Sequence, residues 1–197
     1  EADLTTRRKA VVSVLRDVLA NGRKEAEQIL HDKRNGLDCV IHLSSVMDTI
    51  IRALYTVATQ YFYPAVNPST SERITIIAVG GYGRGTLAPG SDIDLLFLLP
   101  WKATPWSESI VETILYALWD LKLKVGHSVR TVDECIREGK ADMTIRTALL
   151  EARFLAGDRA LFDEMQTRYA SYQDLAEKIR FRFIDPTATL HELFARL

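Results

Sequence analysis

The stretch Gly80-Gly81-Tyr82-Gly83-Arg84-Gly85-Thr86-Leu87-Ala88-Pro89-Gly90-Ser91-Asp92-Ile93-Asp94 constrains this chain most, because it joins two strand-like runs through a glycine-rich turn. Before it, Ile74-Thr75-Ile76-Ile77-Ala78-Val79 is β-branched and predicts a buried strand. After it, Ile93 to Leu99, closed by Pro100, predicts a second strand apolar enough for the middle of a sheet. Four glycines in the six residues from Gly80 to Gly85 let backbone N–H groups approach phosphate oxygens without obstruction by side chains. Asp92 and Asp94, one residue apart on a strand, face the same side about 7 Å apart, from a rise of about 3.3 Å per residue. Two carboxylates so placed repel each other unless a cation lies between them, and hard oxygen ligands suit Mg²⁺.

This pattern points to transfer of a nucleotide. A hydroxyl attacks the α-phosphorus of a nucleoside triphosphate in line while pyrophosphate departs, with metal ions bridging the carboxylates and phosphates. In this reading Ser91 and the loop amides hold the β and γ phosphates, and Arg84 supplies a charge partner. Other glycine loops do not fit. A dinucleotide-binding loop needs a crossover helix before its second strand and an acidic residue about 20 positions on. Only eleven positions separate Gly81 from Asp92, Pro89-Gly90 interrupts them, and Trp101 stands where that acid would be. The Gly-Lys-Ser/Thr of a P-loop is absent.

Around this core the periodicity changes. Val11, Val14, Leu15, Val18 and Leu19, then Val46, Ile50, Leu54 and Val57, predict helices from Leu4 to about Tyr63, broken near Asn35-Gly36. Pro64, Asn67, Pro68 and Ser69 predict a loop. Thr104 before Pro105 predicts a helix start, with Ile110, Val111, Ile114, Leu115 and Leu118 as one stripe ending near Leu121. Lys122 to Thr131 predicts a third strand: Leu123, Val125, His127 and Val129 lie on an apolar parity, and Lys124, Gly126, Ser128 and Arg130 on the other. Ser128 and Arg130 can then face a nucleotide, Arg130 alternatively forming a structural ion pair, while His127 is read as a core histidine. Beyond Asp133 the pattern predicts helices throughout, one carrying Leu149, Leu150, Phe154 and Leu155, the next Leu161, Phe162, Met165 and Tyr169, with Gly157-Asp158 between them. A last helical stretch, Leu175 to Leu197, is broken near Asp185-Pro186. The fold class is therefore α+β: a small mixed sheet at 69–140, flanked by a helical region at 1–68 and a C-terminal helical bundle at 141–197.

Composition excludes several alternatives. In 197 residues, 25 Lys plus Arg nearly cancel 26 Asp plus Glu, so no global basic field captures nucleic acid, and no dense basic, aromatic-interleaved stretch offers a nucleic-acid track. The two cysteines, Cys39 and Cys135, are far apart and make no disulfide framework, which suits a reducing compartment. Both are read as buried thiols, and Trp101, Trp106 and Trp119 as packing. No apolar run approaches the roughly 20 residues of a membrane span, and the location expected is cytoplasmic. A start at Glu1 without methionine suggests a piece of a longer protein.

The Gly-Gly turn followed by Asp-x-Asp on a strand resembles the DNA polymerase β-like nucleotidyltransferase superfamily. With Pro89-Gly90-Ser91-Asp92-Ile93-Asp94-Leu95-Leu96-Phe97-Leu98, Leu118-Trp119-Asp120 and Val125-Gly126-His127-Ser128-Val129-Arg130-Thr131, it resembles more narrowly the amino-terminal domain of the bacterial bifunctional uridylyltransferase/uridylyl-removing family. The resemblance covers about residues 5 to 165 and implies UMP transfer from UTP, with Mg²⁺, to a tyrosine hydroxyl of the nitrogen-signalling protein PII. It implies Asp92 and Asp94 as catalytic metal ligands and Gly80 and Gly81 as the gripping turn. An HD hydrolase domain and ACT domains would lie in the longer protein, and His31-Asp32 is a chance HD pair on a helix. The usual third carboxylate of the superfamily is missing from residues 122–131, with Asp120 the nearest candidate. An adenylyltransferase, or a module that only binds nucleotide to regulate a partner, remains as an alternative.

Overall fold

A computed structural model describes residues 2–65 and 71–183. Helices α1 (Ala2–Lys33) and α2 (Gly36–Thr56) form a hairpin, and a π-helical segment, Val57–Phe62, extends α2. The hairpin turn is set by chemistry in its sequence. Arg34 adopts a positive φ of 50°, and the Asn35 side chain caps α2 by accepting from the Leu37 and Asp38 amides. The predicted break at Asn35-Gly36 is thus a cap.

Four strands follow, β1 (Thr75–Ala78), β2 (Ile93–Leu99), β3 (Val125–Thr131) and β4 (Arg153–Gly157), in the sheet order β3-β2-β1-β4. The glycine turn between β1 and β2 contains one helical turn, α3 (Gly80–Gly83), and α4 (Pro105–Asp120) makes the crossover between the parallel strands β2 and β3. Thr104 and Ser107 close a capping box at the start of α4, the start that Thr104-Pro105 predicts. Helices α5 (Val132–Ala141), α6 (Met143–Leu150) and α7 (Arg159–Phe183) are the remaining helices among the described residues. The expected α+β class with a small mixed sheet is observed.

Strand alternation divides the core. Ile76, Ala78, Ile93, Leu95, Phe97 and Leu99 point to the face covered by the helical hairpin and α4, where Ile50, Ile51, Leu54, Ile110, Ile114 and Leu118 are buried. Ile77, Leu96 and Leu98 point to the other face and pack with Val132, Cys135, Leu149, Leu161, Phe162 and Met165 of α5, α6 and α7. Because β2 is covered on both faces, it reads as an unbroken apolar run. Both cysteines are buried and free.

Three expectations are corrected. The helix expected to carry Leu149 through Leu155 ends at Leu150, and Arg153–Gly157 instead forms β4, antiparallel to β1. Without β4, β1 would expose a row of unpaired backbone groups at the sheet edge; that tertiary demand outweighs a helix-like spacing of apolar residues. His127 is exposed, not in the core, with its ring edge-to-face on Trp119 at 6.3 Å. Its parity is the expected one, but β3 is an edge strand, and on that side Val129 is also 41% exposed. The tryptophans divide: the Trp106 indole donates to the Tyr63 carbonyl at 2.9 Å, whereas Trp101 is 70% exposed. The expected turn at Asn67-Pro68-Ser69 and the break at Asp185-Pro186 lie outside the described residues.

Asp158 fastens β4 to β1 and α7. Its carboxylate pairs with Arg73 and accepts from the Leu161 amide at 3.1 Å, while its carbonyl accepts from the Thr75 hydroxyl at 2.7 Å. The Arg73 hydrogen bond, joined by the amides of Leu161 and Ala160, holds the carboxyl below its ordinary range. A carboxyl depressed in the fold contributes stability above its unfolded pKa of about 3.9 that is lost as pH falls through the folded value. Asp158→Asn is expected to cost about 1 kcal/mol at neutral pH, the usual worth of a cap. It should also flatten the acid limb of a melting-temperature profile below about pH 5. Identical acid limbs for variant and wild type would count against this assignment.

Candidate active site

Asp94 is the second residue of β2 and has the parity of Leu96 and Leu98, so it faces the side covered by α5 and α6. Its neighbours across and beside the strand are glycines. In the parallel register it pairs with Gly126 of β3, where a Cβ would overlap Asp94 Oδ1. On the other side stands Gly80, whose φ of 59° favours glycine and whose missing Cβ would lie 3.3 Å from Asp94 Oδ2. The carboxylate therefore occupies a slot that two absent side chains leave open. Burial pushes the Asp94 carboxyl above its ordinary pKa, and the charge of Asp92 adds to the shift. Asp92 is thus near enough to oppose the ionisation of Asp94, although it stands just before β2 and strand alternation does not reach it.

A cavity of about 410 Å³ opens from this slot. Gly80, Asp94, Gly126, Ser128 and Arg130 form one side, and Thr144, Thr147, Ala148 and Glu151 form the wall contributed by α6 and its end. Four residues singled out from sequence, Gly80, Asp94, Ser128 and Arg130, thus meet at one place. Arg130 lines the cavity and also pairs with Glu138 at 2.8 Å.

None of the other expected site residues lines this cavity. Asp92 precedes β2 and is exposed. Gly81 is the next residue of the turn, where a Cβ would lie 3.5 Å from an Arg84 nitrogen. Arg84, at the end of α3, pairs with Glu151 at 2.6 Å, which links the glycine turn to the cavity wall. Ser91 lies apart, in a turn closed by its amide on the Ala88 carbonyl, and borders a separate, largely apolar cavity of about 510 Å³ between the hairpin helices and residues 87–91. Asp120 is the partner of Arg8 at 3.7 Å at the end of α4 and does not line the cavity with Asp94. His31 and Asp32 form an exposed side-chain pair, and no group of three or more potential metal ligands occurs among the described residues.

The wall from α6 was not anticipated. Thr144, Thr147, Ala148 and Glu151 recur at three and four and present one small or polar helical face, a signal visible in sequence once the helix is known to end at Leu150. Asp142 caps that helix by accepting from the Thr144 and Ile145 amides at 2.6 and 3.2 Å, which fixes where the face begins.

The glycine turn, the acids, the cavity and strands β1 to β3 all lie within residues 67–155, which match the family profile of the nucleotidyltransferase domain. Residues 67–155 belong to the nucleotidyltransferase domain family. The chain is also 56% identical over 162 residues to a bifunctional uridylyltransferase/uridylyl-removing enzyme of Rhodopseudomonas palustris, and 54% identical over 162 residues to one of a Bradyrhizobium species. Each alignment covers 82% of this chain, and the chain spans 17% of the length of these relatives. The match thus takes in strands β1 to β3 and the first three residues of β4.

Proposed function

We propose that this domain transfers UMP from UTP to a tyrosine hydroxyl of a PII-type signalling protein, with Mg²⁺ and in the cytoplasm. Nucleotidyl transfer rests on the family of residues 67–155, and the choice of UTP on the names of the relatives. Among the described residues no helix is long and apolar enough to cross a membrane. The observation that carries the reading is the placement of Asp94 between Gly80 and Gly126 at the mouth of a cavity shared with Ser128 and Arg130.

The residues fit a Mg²⁺ ion. An acid whose ionisation is opposed by burial and by a neighbouring carboxylate, as that of Asp94 is, is relieved by a divalent cation, and this ion is commonly held by one or two carboxylates with phosphates and water completing its shell. Asp92 and Asp94 would hold it, and when bound it stabilises charge on the entering and leaving oxygens. The amides of Gly80 and Gly81 approach the phosphates, and Arg130 and Ser128 meet the nucleotide from β3. The acceptor oxygen forms a bond to the α-phosphorus as the bond to pyrophosphate breaks, and the departing oxygen takes the electron pair. The tyrosine proton passes to solvent or to an Asp carboxylate. Arg84, held by Glu151, stands ready beside the turn. The HD hydrolase and ACT domains that the resemblance implies would belong to the remainder of a longer protein.

Incubating the chain with PII, Mg²⁺ and each ribonucleoside triphosphate in turn should add the mass of UMP to a PII tyrosine with UTP alone. Addition of AMP would replace this reading with an adenylyltransferase. Tight nucleotide binding without any addition, also in a longer protein carrying this domain, would replace it with a regulatory module.

A further inference from the structure

Asp48 is a buried acid that the transfer chemistry leaves unused. It lies on α2 among the buried residues Met47, Ile50, Ile51 and Leu54 and is only 8% exposed. A charge in such a place needs partners, and it has several. Its oxygens accept from the Tyr82 hydroxyl at 2.7 Å, from both terminal nitrogens of Arg153 at 2.6 and 3.0 Å, and from Arg52 at 3.3 Å.

The same Arg153 guanidinium turns its remaining donors on the glycine turn. It donates to the Tyr82 carbonyl and to the Gly83 carbonyl, each at 3.2 Å, and lies 5.4 Å from the centre of the Tyr82 ring. These carbonyls are the last of α3, whose first residue, Gly80, flanks the Asp94 carboxylate. The cluster therefore ties α2 and β4 to the back of the turn whose front faces the cavity. The Tyr82 hydroxyl, raised above its ordinary range by burial and then by Asp48, stays a donor at working pH. Apolar residues could have filled this volume with less desolvation. What they could not do is hold two successive carbonyls of a glycine-rich turn, which by itself has little conformational preference.

We propose that Asp48, Tyr82 and Arg153 form a positioning device that holds the Gly80–Gly83 turn against Asp94, so that they set nucleotide affinity through the turn without touching the nucleotide. The proposal rests on the reading that this turn grips a triphosphate.

The test compares Asp48→Asn, Arg153→Lys and the milder Tyr82→Phe with wild type in two measurements. Amide hydrogen exchange of residues 79–86, without nucleotide, should accelerate at least tenfold in Asp48→Asn and Arg153→Lys, and less in Tyr82→Phe, while exchange in α4 stays unchanged. Lysine keeps the charge but loses the fork, so it should not restore the wild-type rate. The dissociation constant for UTP with Mg²⁺ should rise at least tenfold in parallel. Unchanged exchange in the turn overturns the proposal, as does equal acceleration in the turn and α4, which would mark the cluster as a general support of the fold. Faster exchange with unaltered UTP affinity overturns the link to binding. A wild-type chain that binds no UTP overturns the transferase reading and the affinity role with it, while the exchange result still decides whether the cluster holds the turn.

Discussion

Changing both Asp92 and Asp94 to asparagine is expected to lower UMP transfer by about 10³-fold or more, the consequence of losing several kcal/mol of charge stabilisation in the transition state. Thermal unfolding should stay close to wild type. Asparagine keeps the volume of each side chain, and Asp94 lies in a slot shaped by Gly80 and Gly126, where it makes no ion pair among the described residues. Removing the Asp94 charge, which burial and then Asp92 disfavour, relieves the fold. Activity and stability should therefore separate, as they do where a site is built from groups held against their own preference. Radiolabel transferred from UTP to PII measures the first quantity, and circular dichroism melts measure the second. Labelling within tenfold of wild type would remove the carboxylates from the mechanism. A large loss of melting temperature would show instead that the acids support the fold.

Local chemistry made some of this site legible in the sequence. Period-two alternation placed Asp94 on one face with Asp92; in the structure Asp94 shares the parity of Leu96 and Leu98, but Asp92 stands before the strand begins. The same rule placed Ser128 and Arg130 on the face where the cavity lies. Ser91 was assigned to phosphate from its place in the loop, not from a strand parity. Gly90 has a φ of 79° and Ser91 closes a turn on Ala88, so its side chain borders a different cavity. Arg84 was assigned to phosphate from its place in the loop; its partner Glu151 lies far along the chain at the end of α6, and only the fold brings them together.

Strand β4 was hidden for a related reason. Leu149, Leu150, Phe154 and Leu155 fit a helix, and the evidence against it, an unpaired β1, exists only in three dimensions. Leu155 packs toward the hairpin while Phe154 packs toward α7, so the segment has strand alternation that four apolar residues at helical spacing concealed. Asp48 was visible as an acid within an apolar helical face. Its meaning depended on Arg153, and Arg153 had been read as part of a helix.

Two glycines, each packed tightly, should respond in opposite ways to an added methyl group. At Gly83 a Cβ would overlap the Glu151 carbonyl and lie 3.0 Å from the Ala78 carbonyl. Both obstacles are backbone, and Arg153 already holds the Gly83 carbonyl, so the turn cannot move aside without breaking that bond. Gly83→Ala is therefore expected to cost about 3 kcal/mol, the upper range for overpacking. In a chain of this size that is a fall of about 6–12 °C in melting temperature. At Gly126 the obstacle is Asp94 Oδ1, the far end of a side chain that can rotate away. Gly126→Ala should melt within about 2 °C of wild type, since a side chain can yield where backbone cannot, yet lose about 10²-fold in transfer because Asp94 is driven from its slot. Melts and labelling of both variants decide the matter. If Gly126→Ala retains full activity, the position of Asp94 between the two glycines is not what the chemistry uses. If Gly83→Ala melts like wild type, the turn is not wedged against the end of α6, and the packing described around it is wrong.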